Sequence, residues 1–247
     1  MSVQGAATLI GSARSAVALT GAGVSAESGI PTFRGEGGLW TKYDPVKVSS
    51  IDAFLADPTA YWEVARERGG LALAARPNPG HEALAALESR GRLLAVVTQN
   101  TDGLHQAAGS KRVVELHGSG RTVECLACGA REPRSDVQAR LEVEMPPRCG
   151  TCGATLLKPT VVFFGQAMPP AAVQEAYALA EQADVMVVVG TSLVVYPAAD
   201  VPLAAVRAGA RLIVINAEPT PFDRLAEVVI HGRSGEVLPK IVDLIGG

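Results

Sequence analysis

AVALTGAGVSAESGIPTFRG (residues 16–35) joins a four-residue apolar run to a glycine pair and then to a polar tail containing proline. AVAL reads as a strand, and Gly21-Ala22-Gly23 with Ala26 behind it loosely fits G-x-G-x-x-[G/A]. Glycines there allow a tight turn and close approach of a pyrophosphate, whose charge is met by a helix N-terminus. Such triplets also occur in plain turns, and the second half, SGIPTFRG, is more than a dinucleotide turn needs. A hydride-transferring Rossmann site would next want an acidic residue ending a second strand about 20 residues on. Asp44 stands near that distance but in LWTKYDPVK, which is no strand, so the dehydrogenase reading loses ground.

Outward from this stretch, further apolar runs recur at LLAVV (93–97), VMVVV (185–189), LIVI (212–215) and EVVI (227–230). They lack alternation, as strands covered on both faces do. Helix-like segments separate them: 81–91, 169–182 and 196–210. This rhythm predicts an α/β fold with a doubly wound parallel sheet, whose ligands sit outside the carboxyl ends of the strands. Those ends are Thr20-Gly21, Thr98-Gln99-Asn100, Gly190-Thr191-Ser192 and Asn216, predicted to converge on one cleft. Residues 36–75 and 121–157 break the rhythm and read as inserts that form a second, smaller domain.

The chain of 247 residues carries 22 basic and 25 acidic residues, a formal charge of -3. That balance gives no electrostatic reason to expect nucleic acid or an anionic membrane as partner. No apolar run approaches the ~20 residues that span a bilayer, and the opening segment lacks a basic leader with a long apolar stretch. A soluble, cytoplasmic protein is expected.

All four cysteines fall in two C-x-x-C pairs, Cys125/Cys128 and Cys149/Cys152, with 20 residues between the pairs. Four thiolates at this spacing favour one tetrahedral zinc ion, and four protein ligands leave no open position, so the metal is expected to be structural. A nucleic-acid-binding zinc ribbon is the rival. Between 121 and 157, however, basic and acidic residues balance at five each and no aromatic is present to stack on bases.

Three more stretches carry chemistry. Thr98 to Asp102 ends the LLAVV strand with amide and carboxylate groups, more than one helix cap needs. They suit a ribose or a carboxamide. His117, in Glu-Leu-His-Gly-Ser, is a candidate general base near neutrality. Phe163-Phe164-Gly165 is either a core strand ending at glycine or an edge that holds an extended peptide by main-chain pairing.

Together GAGVSAESGIPTFRG, TQNTDGLH (98–105), LHG (116–118), CLAC with CGTC, KPTVVFFG (158–165), GTSL (190–193) and IN (215–216) resemble the sirtuin family of NAD-dependent protein-lysine deacylases. The matches occur in family order along nearly the whole chain. The resemblance implies a Rossmann-like domain from 1–35, 76–120 and 158–247, with a small domain made of a helical module (36–75) and a zinc-binding module (121–157). It implies NAD as co-substrate, acylated-lysine proteins or peptides as partners, and no direct nucleic acid or membrane. In that chemistry the acyl amide oxygen attacks C1′ of the nicotinamide ribose. The acyl group then passes to ribose, leaving free lysine, nicotinamide and O-acyl-ADP-ribose.

The resemblance also implies roles, residue by residue. Gly21, Ala22 and Gly23 would hold the pyrophosphate, and Thr32, Phe33 and Arg34 belong to a loop closing over NAD, with Phe33 shielding the ribose carbon from water. Glu27 and Trp40 complete the cofactor contacts on this side. Gln99 and Asn100 would contact the nicotinamide ribose, with Asn100 and His117 as the catalytic pair. Asp102 would accept from the nicotinamide amide, and His117 would take a proton from a ribose hydroxyl. Gly190, Thr191 and Ser192 sit at the phosphate end, Asn216 and Glu218 at the adenosine ribose, and Ser234 at the adenine. Val161, Phe163 and Gly165 would line the acyl-lysine channel.

Thr101 stands where family members commonly have Ile or Val, and Gln166 replaces the usual Glu beside the peptide groove. A subgroup removing succinyl and malonyl groups carries Tyr-x-x-Arg; the matching positions here are Ala65 and Arg68. Tyr61 lies one turn earlier on the same helical face. Arg68, a candidate substrate residue, is read as a solvated surface charge or a partial remnant of that motif in preference to a working carboxylate ligand, so apolar acyl groups, acetyl first, are the expected substrates. Mono-ADP-ribosyl transfer or NAD hydrolysis at the same site is the alternative.

Overall fold

A computed structural model describes residues 2–32 and 38–246. Its strands are β1 (Ala16–Thr20), β2 (Ala95–Thr98), β3 (Val113–Glu115), β4 (Gly118–Cys125), β5 (Arg131–Pro133), β6 (Leu157–Val161), β7 (Val185–Val189), β8 (Arg211–Asn216) and β9 (Val228–His231). Six form one sheet in the order β3-β2-β1-β7-β8-β9, with every neighbouring pair parallel. Counting only this sheet's strands along the chain, the order is that of a doubly wound dinucleotide fold. All five expected strands are present, and β3 is the sixth, too short to stand out as an apolar run.

The unbroken apolar runs have a direct structural cause. Along β1, Ala16 and Ala18 enter one core while Val17 and Leu19 enter the other. β7 does the same with Val185, Val187 and Val189 against Met186 and Val188. One core is closed by helices Val3–Ser12, Pro79–Ser89 and Ser234–Gly246; the other by helices Pro170–Gln182 and Asp200–Arg207. Helix Pro79–Ser89 starts where Pro79 supplies a preset φ and the Asn78 side chain accepts from the N–H groups of Gly80 and His81.

β4, β5 and β6 form a separate antiparallel sheet in the order β5-β4-β6. This sheet begins at Gly118 and takes in Leu157–Val161, so its strand pairing crosses the expected module limits at 120 and 157. Residues 45–74 are helical, in segments Pro45–Ser49, Ile51–Ala56 and Thr59–Ala74. Phe54 and Trp62 from these helices share one apolar cluster with Val123, Val137, Leu157 and Phe163. The Trp62 indole N–H donates to the Leu157 carbonyl at 3.0 Å. Among the described residues no helix is long and apolar enough to cross a membrane.

Candidate active site

The chain leaves β1 toward β2 and later returns on the other side of β1 with β7, so crossovers diverge at the β1/β7 boundary. That boundary is the ligand-binding crevice of such sheets. Gly21 N donates to Val189 O at 3.1 Å and Gly23 N to Gly190 O at 2.8 Å. A Cβ on Gly23 would lie 2.8 Å from Gly190 O, and one on Gly21 2.6 Å from Thr191 Cβ. The glycine pair is therefore required by the neighbouring strand end, as well as by any pyrophosphate. The helix after it is a single turn, Ala22–Ser25, running into a 3-10 turn at Ala26–Ser28. The expected helix dipole is thus short.

The other strand ends close on the same place. Thr20 Oγ1 donates to Thr98 Oγ1 at 2.8 Å, Gln99 Nε2 to Thr191 Oγ1 at 3.0 Å, and Asn100 Nδ2 to Gly21 O at 3.1 Å. Beneath them runs a buried chain of hydrogen bonds. The Asn78 N–H donates to His81 Nδ1 at 3.3 Å, which leaves the proton of the neutral ring on Nε2. That nitrogen lies 3.3 Å from Ser25 Oγ, which also accepts from Asn100 Nδ2 at 3.1 Å. Ser25 in turn donates to Asp102 Oδ2 at 2.7 Å, while Asp102 Oδ1 accepts from Leu104 N at 2.9 Å. Both oxygens of Asp102 are thereby oriented, with lone pairs left over for a ligand amide.

His81 and His105 were not picked out by sequence reasoning. They are 0% and 1% exposed, with ring centroids 4.9 Å apart, and His105 Nε2 lies 2.9 Å from Thr20 Oγ1. Burial pushes His105 down to about 3, with His81 adding to the effect. Burial also lowers His81, against the opposing pull of Asp102 and Glu27. Both rings are neutral near pH 7. The one legible signal was the Asn78-x-x-His81 capping spacing.

His117 sits between β3 and β4, with Nδ1 2.9 Å from the Gln99 carbonyl oxygen. A carbonyl only accepts, so the proton is on Nδ1 and the Nε2 lone pair is free. Burial lowers the pKa of His117 below its ordinary value, the Gln99 bond partly offsetting the shift. Gly118 follows at φ 71, where a Cβ would strike the Thr160 carbonyl oxygen. Only glycine lets β4 approach β6 this closely.

Glu27 is exposed, and its Oε2 accepts from Gly235 N at 2.8 Å and Ser234 Oγ at 3.3 Å, capping the last helix. Glu27 and Ser234 are thus brought together. Asn216 Nδ2 donates to Glu218 O at 2.7 Å at the end of β8. Ala22 and Thr32 are half-buried and Ser192 is exposed. Gly190 takes φ 62, and buried Leu193, at φ 55, continues this constrained turn. Trp40 meets Phe164 edge-on at 6.1 Å. Phe33 and Arg34 lie outside the described residues.

The channel assignment is corrected by one residue. Phe163 is 3% exposed and belongs to the small core, with its ring 5.0 Å from Tyr61 and 5.5 Å from Phe54; Val161 packs against the same cluster. Phe163 is therefore not free to line a cleft, while Val161 keeps partial exposure. Phe164 points the other way, 44% exposed, as alternation along an extended segment demands. Its N–H and C=O are taken by Ser49 O at 2.9 Å and Ile51 N at 3.0 Å, so that residue does not offer the free edge a pairing peptide needs. Gly165 is exposed at φ 85, in the turn that follows. Gln166 Oε1 accepts from Phe163 N at 3.0 Å, so this residue braces the turn. Arg68 is half-buried, with Nη1 inaccessible and without a hydrogen-bond partner among the described residues, which is not the solvated charge expected.

The four cysteine sulfurs lie within 4.8 Å of one another, with Cys125–Cys152 at 3.6 Å and Cys128–Cys149 at 3.7 Å. Those separations are far beyond the ~2.05 Å of a disulfide. They match the roughly 3.8 Å edge of a tetrahedron with Zn–S bonds of about 2.3 Å. The two C-x-x-C turns share one backbone pattern. Gly129 N donates to Cys125 O at 2.8 Å and Gly153 N to Cys149 O at 2.9 Å, with the glycines at φ 74 and 75. The donor set fits one zinc ion.

A family model described as the Sir2 family matches residues 21–197. The NAD-dependent protein deacylase 2 of Archaeoglobus fulgidus is 50% identical over 241 residues, covering 98% of this chain and 95% of that protein. A structure solved for the mechanism and regulation of Sir2 enzymes superposes with a TM-score of 0.93 at 49% identity, covering 99% of this chain and 97% of the other. A Sir2 structure with a p53 peptide and NAD+ superposes at 0.92 with 40% identity, covering 100% and 99%.

Proposed function

The chain belongs to the Sir2 family, and from that premise we propose that it is an NAD-dependent protein-lysine deacylase, acting on acetyl-lysine first. The observation that carries this reading is the pairing of His117 with the Gln99 carbonyl beside the Ser25–Asp102–Asn100 network, all at the strand-end crevice. NAD, when bound, supplies the ribose that accepts the acyl group. Asp102, held by Ser25 and Leu104, accepts from the nicotinamide amide and orients the leaving group. Gln99 and Asn100 hold the nicotinamide ribose. His117 Nε2 takes the proton of a ribose hydroxyl, since Nδ1 already carries the proton that it donates to the Gln99 carbonyl. Gly21 to Gly23 and Gly190 to Ser192 hold the phosphates, and Asn216, Glu218 and Ser234 the adenosine end.

We assign to Thr32, and to Phe33 and Arg34 outside the described residues, contacts with NAD, with Phe33 shielding the ribose carbon from water. Val162 and Phe164, in place of Val161 and Phe163, border the acyl-lysine. We assign residues 1–35, 76–120 and 158–247 to the NAD-binding domain, and 36–75 with 121–157 to the small domain. Cys125, Cys128, Cys149 and Cys152 hold one structural zinc. Four reduced thiols suit a cytoplasmic location.

The test is incubation with NAD and an acetyl-lysine peptide, followed by mass spectrometry. Deacylated peptide, nicotinamide and O-acetyl-ADP-ribose are expected. ADP-ribosylated protein or bare ADP-ribose would favour the alternative chemistry, and NADH absorbance would overturn both.

A further inference from the structure

Lys158 lies on β6 at 5% exposure and takes part in none of the ion pairs among the described residues. Its register partner on β4, Glu124, is engaged by Arg131 at 2.7 Å. The ammonium instead donates to Val161 O at 2.6 Å and Pro159 O at 3.0 Å, and it sits 4.2 Å from the centroid of the Phe163 ring. Burying a cation without a carboxylate is costly, and an apolar side chain would fill the same space more cheaply. Packing alone therefore does not account for a lysine here.

The place it secures needs securing. The β4–β6 register slips between Gly118 and Val123, and Pro159 brings no N–H to the ladder. Immediately beyond, Val162 N donates to His117 O at 2.8 Å, and Phe164 pairs with Ser49 and Ile51. The path of this short segment thus sets both the backbone of His117 and the side of the strand on which Val162 and Phe164 stand.

We infer that Lys158 is a positioning residue for acyl-lysine binding, its ammonium clamping the carbonyls of the slipped strand end and the face of Phe163. This rests on the deacylase reading. The ammonium acts through the 161–164 segment and touches no reacting atom. Burial pulls Lys158 down to about 8, so the clamp carries less charge as pH rises through that value.

The experiment measures steady-state kinetics of wild type, Lys158→Met and Lys158→Arg with NAD and an acetyl-lysine peptide. The Met variant is expected to raise the peptide KM roughly five-fold or more while the NAD KM stays within about two-fold, and Arg is expected to restore the peptide KM. From about pH 7 to about 9.5 the wild-type peptide KM should climb and that of Lys158→Arg should stay level, because guanidinium keeps its charge. Glu124 with Arg131, and Tyr61 with Arg134 across Phe163, are common to both proteins and cancel in this comparison. A purely structural role would lower thermal stability without this pH difference. An unchanged peptide KM in Lys158→Met would overturn the clamp, as would parallel pH profiles; the latter holds even if the Met variant fails to fold. Wild type that binds NAD yet deacylates no peptide would instead overturn the functional reading.

Discussion

His117 Nδ1 stands 2.9 Å from the Gln99 carbonyl oxygen, so one backbone group decides which nitrogen of the ring is basic. Because burial also lowers the pKa of the ring, it is neutral and ready to accept a proton at pH 7. Replacing His117 by Ala should cut deacylation by about 10²–10⁴-fold while leaving the thermal midpoint nearly unchanged. On the acidic side, wild-type kcat/KM should begin to fall only below the ordinary imidazole range, because burial lowers the pKa of His117. Turnover of the Ala variant at the wild-type rate would remove His117 from this role.

Ser25 stands between three partners, so its removal has an identifiable cost. Ser25→Ala leaves His81 Nε2 and the Asn100 amide each short of a buried partner and frees Asp102 to rotate. A stability loss of about 1–3 kcal/mol is expected, together with weaker nicotinamide-dependent inhibition. Denaturant unfolding and inhibition curves check both; an inhibition curve identical to wild type would separate Ser25 from the nicotinamide site.

The buried histidine pair makes a pH-dependent contribution of known sign. His105, depressed to about 3, stays neutral in the fold but takes a proton when unfolded below about 6.5. The unfolded state then binds more protons, so stability falls as pH drops, by up to about 1.4 kcal/mol per pH unit for one such histidine. Urea midpoints measured at pH 7 and pH 5 should differ in that direction. Equal midpoints would contradict the neutral buried pair.

Gly23→Ala places a methyl group 2.8 Å from the Gly190 carbonyl oxygen, where backbone and not a flexible side chain must give way. A loss of about 1–3 kcal/mol is expected, with NAD affinity falling alongside. Calorimetry with and without NAD reads both effects, and a fully stable variant would show that the β1/β7 contact relaxes freely.

The metal prediction concerns folding. Chelation of the zinc-loaded protein, or Cys125→Ser, should lower the melting temperature and disorder residues near the small sheet, since zinc binding contributes folding free energy. Hydrogen exchange localises the change. Retained stability and activity after complete metal removal would refute a structural role.

Much of this was readable because it depends on neighbours in the chain. The continuous apolar runs of β1 and β7 announce strands covered on both faces, and the two C-x-x-C turns carry their own glycines and their own geometry. The strand ends at Thr20, Thr98 and Gly190 could be placed at one crevice because parallel topology leaves them nowhere else to go. Even Lys158-Pro159 could be seen as part of a motif, though not what the lysine does.

What depends on distant segments was decided only by packing. Phe163 and Phe164 are chemically identical, and which of them enters the small core follows from Phe54, Tyr61 and Trp62 arriving from another part of the chain. His81 and His105 become a neutral pair because two helices bring them together where both rings are buried from solvent. The glycines of GAG are confined by Gly190 and Thr191, some 170 residues later in the chain. Local sequence sets the spacing of backbone and thiol groups, whereas burial, tautomer and the facing of a side chain are properties of the space that remote residues enclose.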